Sequence, residues 1–175
     1  MIDYIVAIII GVLSSIVASL MFLLFISRRL RPKIVISTQI AKGKGLKGEM
    51  VYRVKVINKT GRSIMNIKAQ LFLVKPSVRP GGITPTAKEI PIAKGEIMEL
   101  LKFDLKDKDN NHAFRFRTYE DIEELWDNRQ SILRFKIYGI DSLSGFGKVF
   151  TQDYHTKRNS IKEGDFETGN SLKIK

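Results

Sequence analysis

The chain has 175 residues, with 30 Lys and Arg against 18 Asp and Glu, a formal charge of +12. Hydrophobic residues make up 43%, too many for a disordered chain, and with no cysteine present disulfides, Cys-ligated metals and thiol nucleophiles are excluded. Two histidines, His112 and His155, supply little for an imidazole metal site or a catalytic triad.

From Tyr4 to Ile26 run 23 residues without a charge, an Asn, a Gln or a Pro. As a helix this stretch reaches about 34 Å, enough to cross a hydrocarbon core of about 30 Å. Residues 1–27 are therefore expected to be a transmembrane anchor. A cleaved signal peptide fits poorly, because Asp3 is the only charge ahead of the apolar run and the run is long. Arg28, Arg29, Arg31 and Lys33 form a basic juxtamembrane linker over 28–33. By the positive-inside rule they hold the C-terminal side in the cytoplasm and leave the N-terminus outside, in a single-pass inner-membrane topology. Ala7, Gly11, Ser15 and Ser19 recur every four residues along one side of the helix. Such a ladder lets two helix backbones approach closely, so self-association into a homo-oligomer is expected, with a monomeric anchor as the alternative.

Residues 28–59 hold ten Lys or Arg and one acid, Glu49, whereas residues 60–175 hold 20 basic and 16 acidic residues. The excess charge thus lies beside the anchor, where anionic lipid accounts for it. No recognition helix or basic–aromatic pattern points to nucleic acid, and none is expected as a partner.

Beyond Lys33 the chain reads as strands and turns. Lys33–Ile40 is a short β-branched stretch and 42–48 a glycine-rich turn. Met50–Asn58 alternates, with Tyr52, Val54 and Val56 facing in and Arg53 and Lys55 facing out. Asn58-Lys59-Thr60 is formally a glycosylation acceptor and reads as a turn, so Ile64–Val74 is expected to pair with the preceding strand as a hairpin. The proline-rich stretch Lys75–Thr86 reads as a long surface loop. Strands are expected at Lys88–Ile92, Ile97–Asp104 and Ala113–Arg117, with a polar turn over Lys106–Asn111. Tyr119–Asn128 reads as a short helix capped by Thr118. Ser131–Asp141 and Lys148–Tyr154 form a second hairpin. This spacing implies a mainly β fold, an immunoglobulin-like antiparallel sandwich over 34–167 with one short helix and a flexible tail over 168–175. A small closed barrel is the alternative.

Ile132 through Gly145, then Tyr154, Ile161, Gly164 and Phe166, give a strand, a Ser-Gly turn, a strand ending in an aromatic and an I-x-x-G-x-F step. This order resembles the cytoplasmic immunoglobulin-like domain of inward-rectifier potassium channels, over about residues 131–166. The resemblance implies a cytoplasmic sandwich below a membrane helix, often in an oligomer. Conduction does not carry over, since the chain has one span and no T-V-G-Y-G filter.

Gly43-Lys44-Gly45-Leu46-Lys47-Gly48 fits G-x-G-x-x-G, but a strand pattern follows it where a dinucleotide site needs a helix, so a hairpin tip is expected. A phosphate or lipid-headgroup contact by Lys42, Lys44 and Lys47 is the functional alternative. Asp107, Asp109 and Asn111 miss the glycine and terminal glutamate of a calcium loop. Glu120, Asp121, Glu123 and Glu124 read as a solvated helix face, Ser144, His155 and Asp153 lack the order of a triad, and His112 and His155 read as surface or turn residues. The expectation is a non-enzymatic protein without cofactor or metal, whose sandwich binds a protein or small ligand at a lipid bilayer. A ligand-gated effector that oligomerises and disrupts the membrane, and an accessory subunit of a channel or transporter, are the alternatives. The effector layout resembles small membrane effectors of nucleotide-signalled bacterial defence.

Overall fold

The computed structural model describes residues 2–107, 109–127 and 130–175, with Arg79 described for its backbone only. Lys108 of the expected polar turn and Asn128 of the expected helix lie outside these residues. The elements run α1 (Ile2–Leu30), β1 (Ile34–Ile36), β2 (Ile40–Lys44), β3 (Met50–Asn58), β4 (Ile64–Arg79), β5 (Gly82–Ile90), β6 (Glu96–Leu100), β7 (Ala113–Thr118), α2 (Ile122–Leu125), β8 (Ile132–Asp141), β9 (Gly147–Tyr154), α3 (Lys157–Ser160) and β10 (Ile161–Glu163). The chain divides into two compact units, one up to Arg31 and one from Pro32 onward.

The first unit is α1, 29 residues long, with a mean hydropathy of 2.7 over its most apolar window and no buried residue. It is long and apolar enough to cross a membrane. The helix continues past the expected anchor boundary through Arg28 and Arg29, whose charges oppose the negative end of its dipole. What was expected as a linker over 28–33 is thus largely folded. Leu30 still belongs to α1, and Lys33 is fixed in the second unit, its N–H donating to Thr60 Oγ1 at 2.9 Å.

The second unit is a mainly β sandwich. In one sheet β3 has β7 on one side and β1 and β2 on the other, with β10 beyond β2. β1 and β2 act as a single strand interrupted by a bulge. Their registers on β3, Ile36↔Val56 and then Ala41↔Arg53, are shifted by two residues. Ser37 occupies the gap, donating its N–H to Lys55 O at 2.8 Å and accepting Lys55 N–H on its Oγ at 3.2 Å. In the other sheet β4 has β8 and then β9 on one side, and β5 and β6 end to end on the other. All pairings are antiparallel except β2 with β10. Between the sheets lies the core, with Ile40, Tyr52, Val56 and Phe116 from one side and Ile64, Ile67, Leu71, Phe135 and Ile137 from the other. Tyr154 of β9 is buried among them and its hydroxyl donates to Ser37 O at 2.8 Å, tying the sheets together.

Several expectations are corrected. β3 and β4 do not pair, because both edges of β3 are already taken and the chain crosses to the other sheet at Asn58. The corner is made by the buried Asn58 amide, which donates to Arg62 O and Leu101 O, each at 2.8 Å, while its Oδ1 accepts Thr60 N–H. An amide so engaged is not available for glycosylation in the folded chain. Lys75–Thr86 is not a loop but the far end of a β4–β5 ribbon, closed by Pro80 and Gly81, whose φ of 108° suits the third position of a type II turn. Pro76 and Pro85 sit directly opposite each other. Counting back from the closing pair Arg79↔Gly82, they fall on a non-hydrogen-bonded pair, where neither ring removes a ladder donor. β4 also bulges between Met65 and Lys68, where Asn66 takes a left-handed φ of 51°, so that Ile64 and Ile67 both face the core.

α2 is capped by Asp121, not Thr118. Asp121 accepts Glu123 and Glu124 N–H, whereas Thr118 Oγ1 accepts only Glu120 N–H. A second short helix, α3, was not expected. The β8–β9 hairpin forms as expected, with β10 and the sharply turned Gly164 (φ 117°) after it. Residues 168–175, expected as a flexible tail, instead fold back on the sandwich. Phe166 bridges Ile174, Asp165 and Lys175 exchange backbone hydrogen bonds, and Phe166, Ile174 and Ala41 form a small second core.

Candidate basic groove on the outer face of the first sheet

Alternation along β3 and β7 turns Tyr52, Val54 and Phe116 into the core and Arg53, Lys55, Arg115 and Arg117 to the opposite face. The register sets Arg53 directly opposite Arg117 and Lys55 directly opposite Arg115. Like charges in that relation repel, so the arrangement needs compensating acceptors.

Residues 164–175 supply some of them, as a strap over this face. The Lys55 ammonium is buried and donates to three backbone carbonyls, those of Glu167 (2.7 Å), Gly169 (2.7 Å) and Ser171 (2.8 Å). An ammonium has three N–H donors, and all are satisfied. Burial, reinforced by the Arg115 charge, pushes the Lys55 ammonium down to about 8. Arg115 donates to Phe166 O at 2.9 Å. Arg53 is held by Lys44 O (2.9 Å) and by the Asp165 carboxylate, also at 2.9 Å. Gly43 is what allows this: a Cβ there would lie 2.8 Å from the Arg53 guanidinium and 3.2 Å from Gly164 O. Gly164 in turn admits the C-terminal residue, for a Cβ would lie 1.8 Å from Lys175 O.

Two clefts flank the Arg115–Arg117 row. The smaller, about 240 Å³, lies between Asp109, Phe114 and the strap residues Thr168 and Gly169. The larger, about 640 Å³, runs from Arg117 and Tyr119 to the β2–β3 turn, bounded by Lys44, Lys47, Glu49 and Asp165. Among the described residues, the side chains of Lys44, Lys47 and Arg117 make no hydrogen bond or ion pair, so three cations border the larger groove uncompensated. Both carboxylates on its wall are engaged, Asp165 by Arg53 and Glu49 by Lys47 N–H at 2.9 Å.

The sequence-derived candidates are partly brought together here. Lys44 and Lys47 line the groove, on a turn closed by Gly45 N–H to Glu49 O (2.7 Å) and by Gly48 at a φ of 84°. The G-x-G-x-x-G stretch is thus a hairpin tip leading into β3. Lys42 lies elsewhere, its ammonium pairing with the Glu123 carboxylate, which also accepts Tyr52 Oη at 3.0 Å. Hydrogen bonding to Lys42 holds Glu123 below the usual carboxylate range, and Glu123 lifts Lys42. Asp121 and Glu123, read from sequence as a solvated face, therefore clamp α2 onto β2 and β3. Ala7, Gly11, Ser15, Ser19, Arg28 and Arg29 all lie on α1, in the other unit. His112 sits in the turn before β7, as expected, but is fully buried there, its Nε2 at 2.7 Å from Asn170 Oδ1 and its ring edge-on to Phe103.

Arg53, Arg115 and Arg117 were missed as site residues. The signal that could have found them is the alternation of basic residues in two strands, R-V-K and R-F-R, which becomes informative only once the strands are known to be neighbours. Compared with family models and with curated proteins, the chain matches none.

Proposed function

We propose that the protein is a non-enzymatic, single-pass membrane protein whose cytoplasmic sandwich binds an anionic partner in the basic groove, while α1 anchors it and associates with copies of itself through Ala7, Gly11, Ser15 and Ser19. The observation that carries the binding reading is the face-to-face placement of Arg53 with Arg117 and Lys55 with Arg115, with Lys44 and Lys47 beside them; among the described residues the side chains of Arg117, Lys44 and Lys47 make no ion pair. Such a surface is costly in the free protein and is relieved by an anion. The membrane reading is supported by the length and apolar composition of α1, and the orientation by Arg28, Arg29, Arg31 and Lys33.

Because the chain has no cysteine, single reporters can test the topology. In intact cells an impermeant maleimide should label Asp3→Cys and spare Ser142→Cys until lysis; the reverse pattern overturns the orientation. Binding is tested by eluting the detergent-extracted full chain from heparin with salt. Arg117→Glu and Lys44→Glu should each lower the eluting salt more than Lys88→Glu, which makes the same charge change on an exposed strand of the other sheet. Equal shifts for all three would reduce the effect to net charge and remove the groove.

A further inference from the structure

The groove's geometry also narrows the chemistry of its occupant. We infer that it takes a compact phosphate-bearing anion; this rests on the anionic-partner reading above and goes further in naming the group recognised.

The three uncompensated cations come from two places, Lys44 and Lys47 at the β2–β3 turn and Arg117 on β7, and border one void of about 640 Å³. The turn is held by its own backbone hydrogen bonds, so both lysines start from a fixed base. Behind them Arg53 is tethered by the Asp165 carboxylate and Lys44 O and Arg115 by the carbonyl of Phe166, which keeps their guanidinium groups at the floor of the groove. A phosphate monoester concentrates close to two negative charges and three acceptor oxygens on a single centre. It can answer a guanidinium fork and an ammonium at once. A carboxylate brings one charge and two oxygens, so an acidic peptide would need a separate side chain at each cation. The volume exceeds that of one phosphate, which fits a ligand with two or more linked phosphate groups or a phosphate on a larger body.

The test uses the full chain in nanodiscs of neutral lipid, titrated calorimetrically with inorganic tripolyphosphate and, in parallel, with a hexaglutamate peptide. Saturable tripolyphosphate binding is expected, weakened about tenfold or more by Arg117→Glu and by Lys44→Glu and unchanged by Lys88→Glu. The exposed positions of Arg117 and Lys44 let both variants fold, which a thermal melt verifies. If hexaglutamate binds as tightly as tripolyphosphate, the phosphate inference falls and the anionic-partner reading stands. If neither binds, both fall. Nanodiscs containing a few per cent phosphatidylinositol bisphosphate distinguish the source. Loss of the tripolyphosphate signal there assigns the site to a lipid headgroup, and an undiminished signal assigns it to a soluble phosphate; either result supports the site.

Discussion

Along β8 half-buried and buried residues alternate without a break from Ile132 to Asp141, whereas on β3 every residue from Val51 to Asn58 is buried. Both strands lie inside a sheet and both turn one face to the shared core. Their outer faces differ. The outer face of β8 carries Arg134, Lys136 and Tyr138 partly in water, and that of β3 carries Arg53, held by Lys44 O and the Asp165 carboxylate, and Lys55 beneath the backbone carbonyls of the strap. A cation on a strand therefore has two unlike fates in one sandwich, a solvated charge or a buried anchor, depending on whether another segment covers it. The covered sheet is also the one that presents the groove, so the strap holds part of the basic face and leaves the remainder open.

The largest effect is expected where the Lys55 ammonium is removed from beneath the strap. Lys55→Met leaves three strap carbonyls without their donor, and the expected loss is about 2 to 4 kcal/mol in urea unfolding. Amide exchange should rise over residues 164–175 and stay unchanged in β8 and β9. Uniform acceleration across both sheets would mean that Lys55 serves the whole core rather than the strap.

The core common to both sheets is tested at Gly139. A Cβ there would stand 2.5 Å from Ile64 Cγ2 on the neighbouring strand of its own sheet and 3.7 Å from Ile34 Cδ1 of the other sheet. Gly139→Ala should cost about 2 kcal/mol by overpacking, with protection lost in both sheets together. A loss confined to the second sheet would show that the sheets are less coupled than their packing implies.

Much of the second sheet was legible because its outer face meets solvent: alternation in β4 and β8 marks which side is buried, and the Ser-Gly turn marks the β8–β9 hairpin. In the first sheet β3 and β7 were legible as strands, but the cover over their outer face was not, since the strap binds through its main chain, and a carbonyl that receives an ammonium looks the same in sequence as one that receives water. Arg53 and Lys55 were assigned to the surface for that reason. Pro76 and Pro85 misled in another way, because a proline forbids a strand only where its missing donor would have been used. Asn58 donates one amide hydrogen to Leu101 O, 43 residues away, so that part of the corner separating β3 from β4 left no local trace. The apolar helix needed no tertiary information. In the groove, Lys44 and Lys47 could be singled out as a basic turn, whereas Arg117 becomes a third member only through the β3–β7 register.

At the end of β8, Asp141 offers a pH-dependent test of the solvated sheet. It is fully buried, and burial pushes its carboxyl up, but Ser144 N–H, the Arg62 guanidinium at 2.8 Å, the Ser144 hydroxyl and Leu143 N–H together outweigh this and hold it below the usual carboxylate range. A lowered folded-state value means that the stabilisation is complete above the unfolded aspartate's range and is lost as pH falls through the folded value. Asp141→Asn should cost about 1 to 2 kcal/mol at neutral pH and flatten the decline of stability in acid. An acid limb as steep as that of the parent protein would place the responsible carboxylate elsewhere, with Asp153, held low by Arg134, as the next to change.

The smallest effect is expected at Lys68. Lys68 on β4 has the same ammonium as Lys55 and a carboxylate partner, Glu96, at 2.9 Å, yet both side chains are more than half exposed. Water already solvates each charge, and the pair gives little beyond that, so Lys68→Met should change stability by less than about 0.5 kcal/mol. On formal charge alone, the Lys68 ion pair would rank above three neutral carbonyls. The opposite order is expected because what a lysine contributes here depends on whether its removal leaves buried acceptors unsatisfied or merely returns an exposed carboxylate to solvent. Urea midpoints for Lys55→Met and Lys68→Met, measured in one detergent at one salt concentration, decide it, and midpoints that coincide would show that the strap does not shelter Lys55 from water.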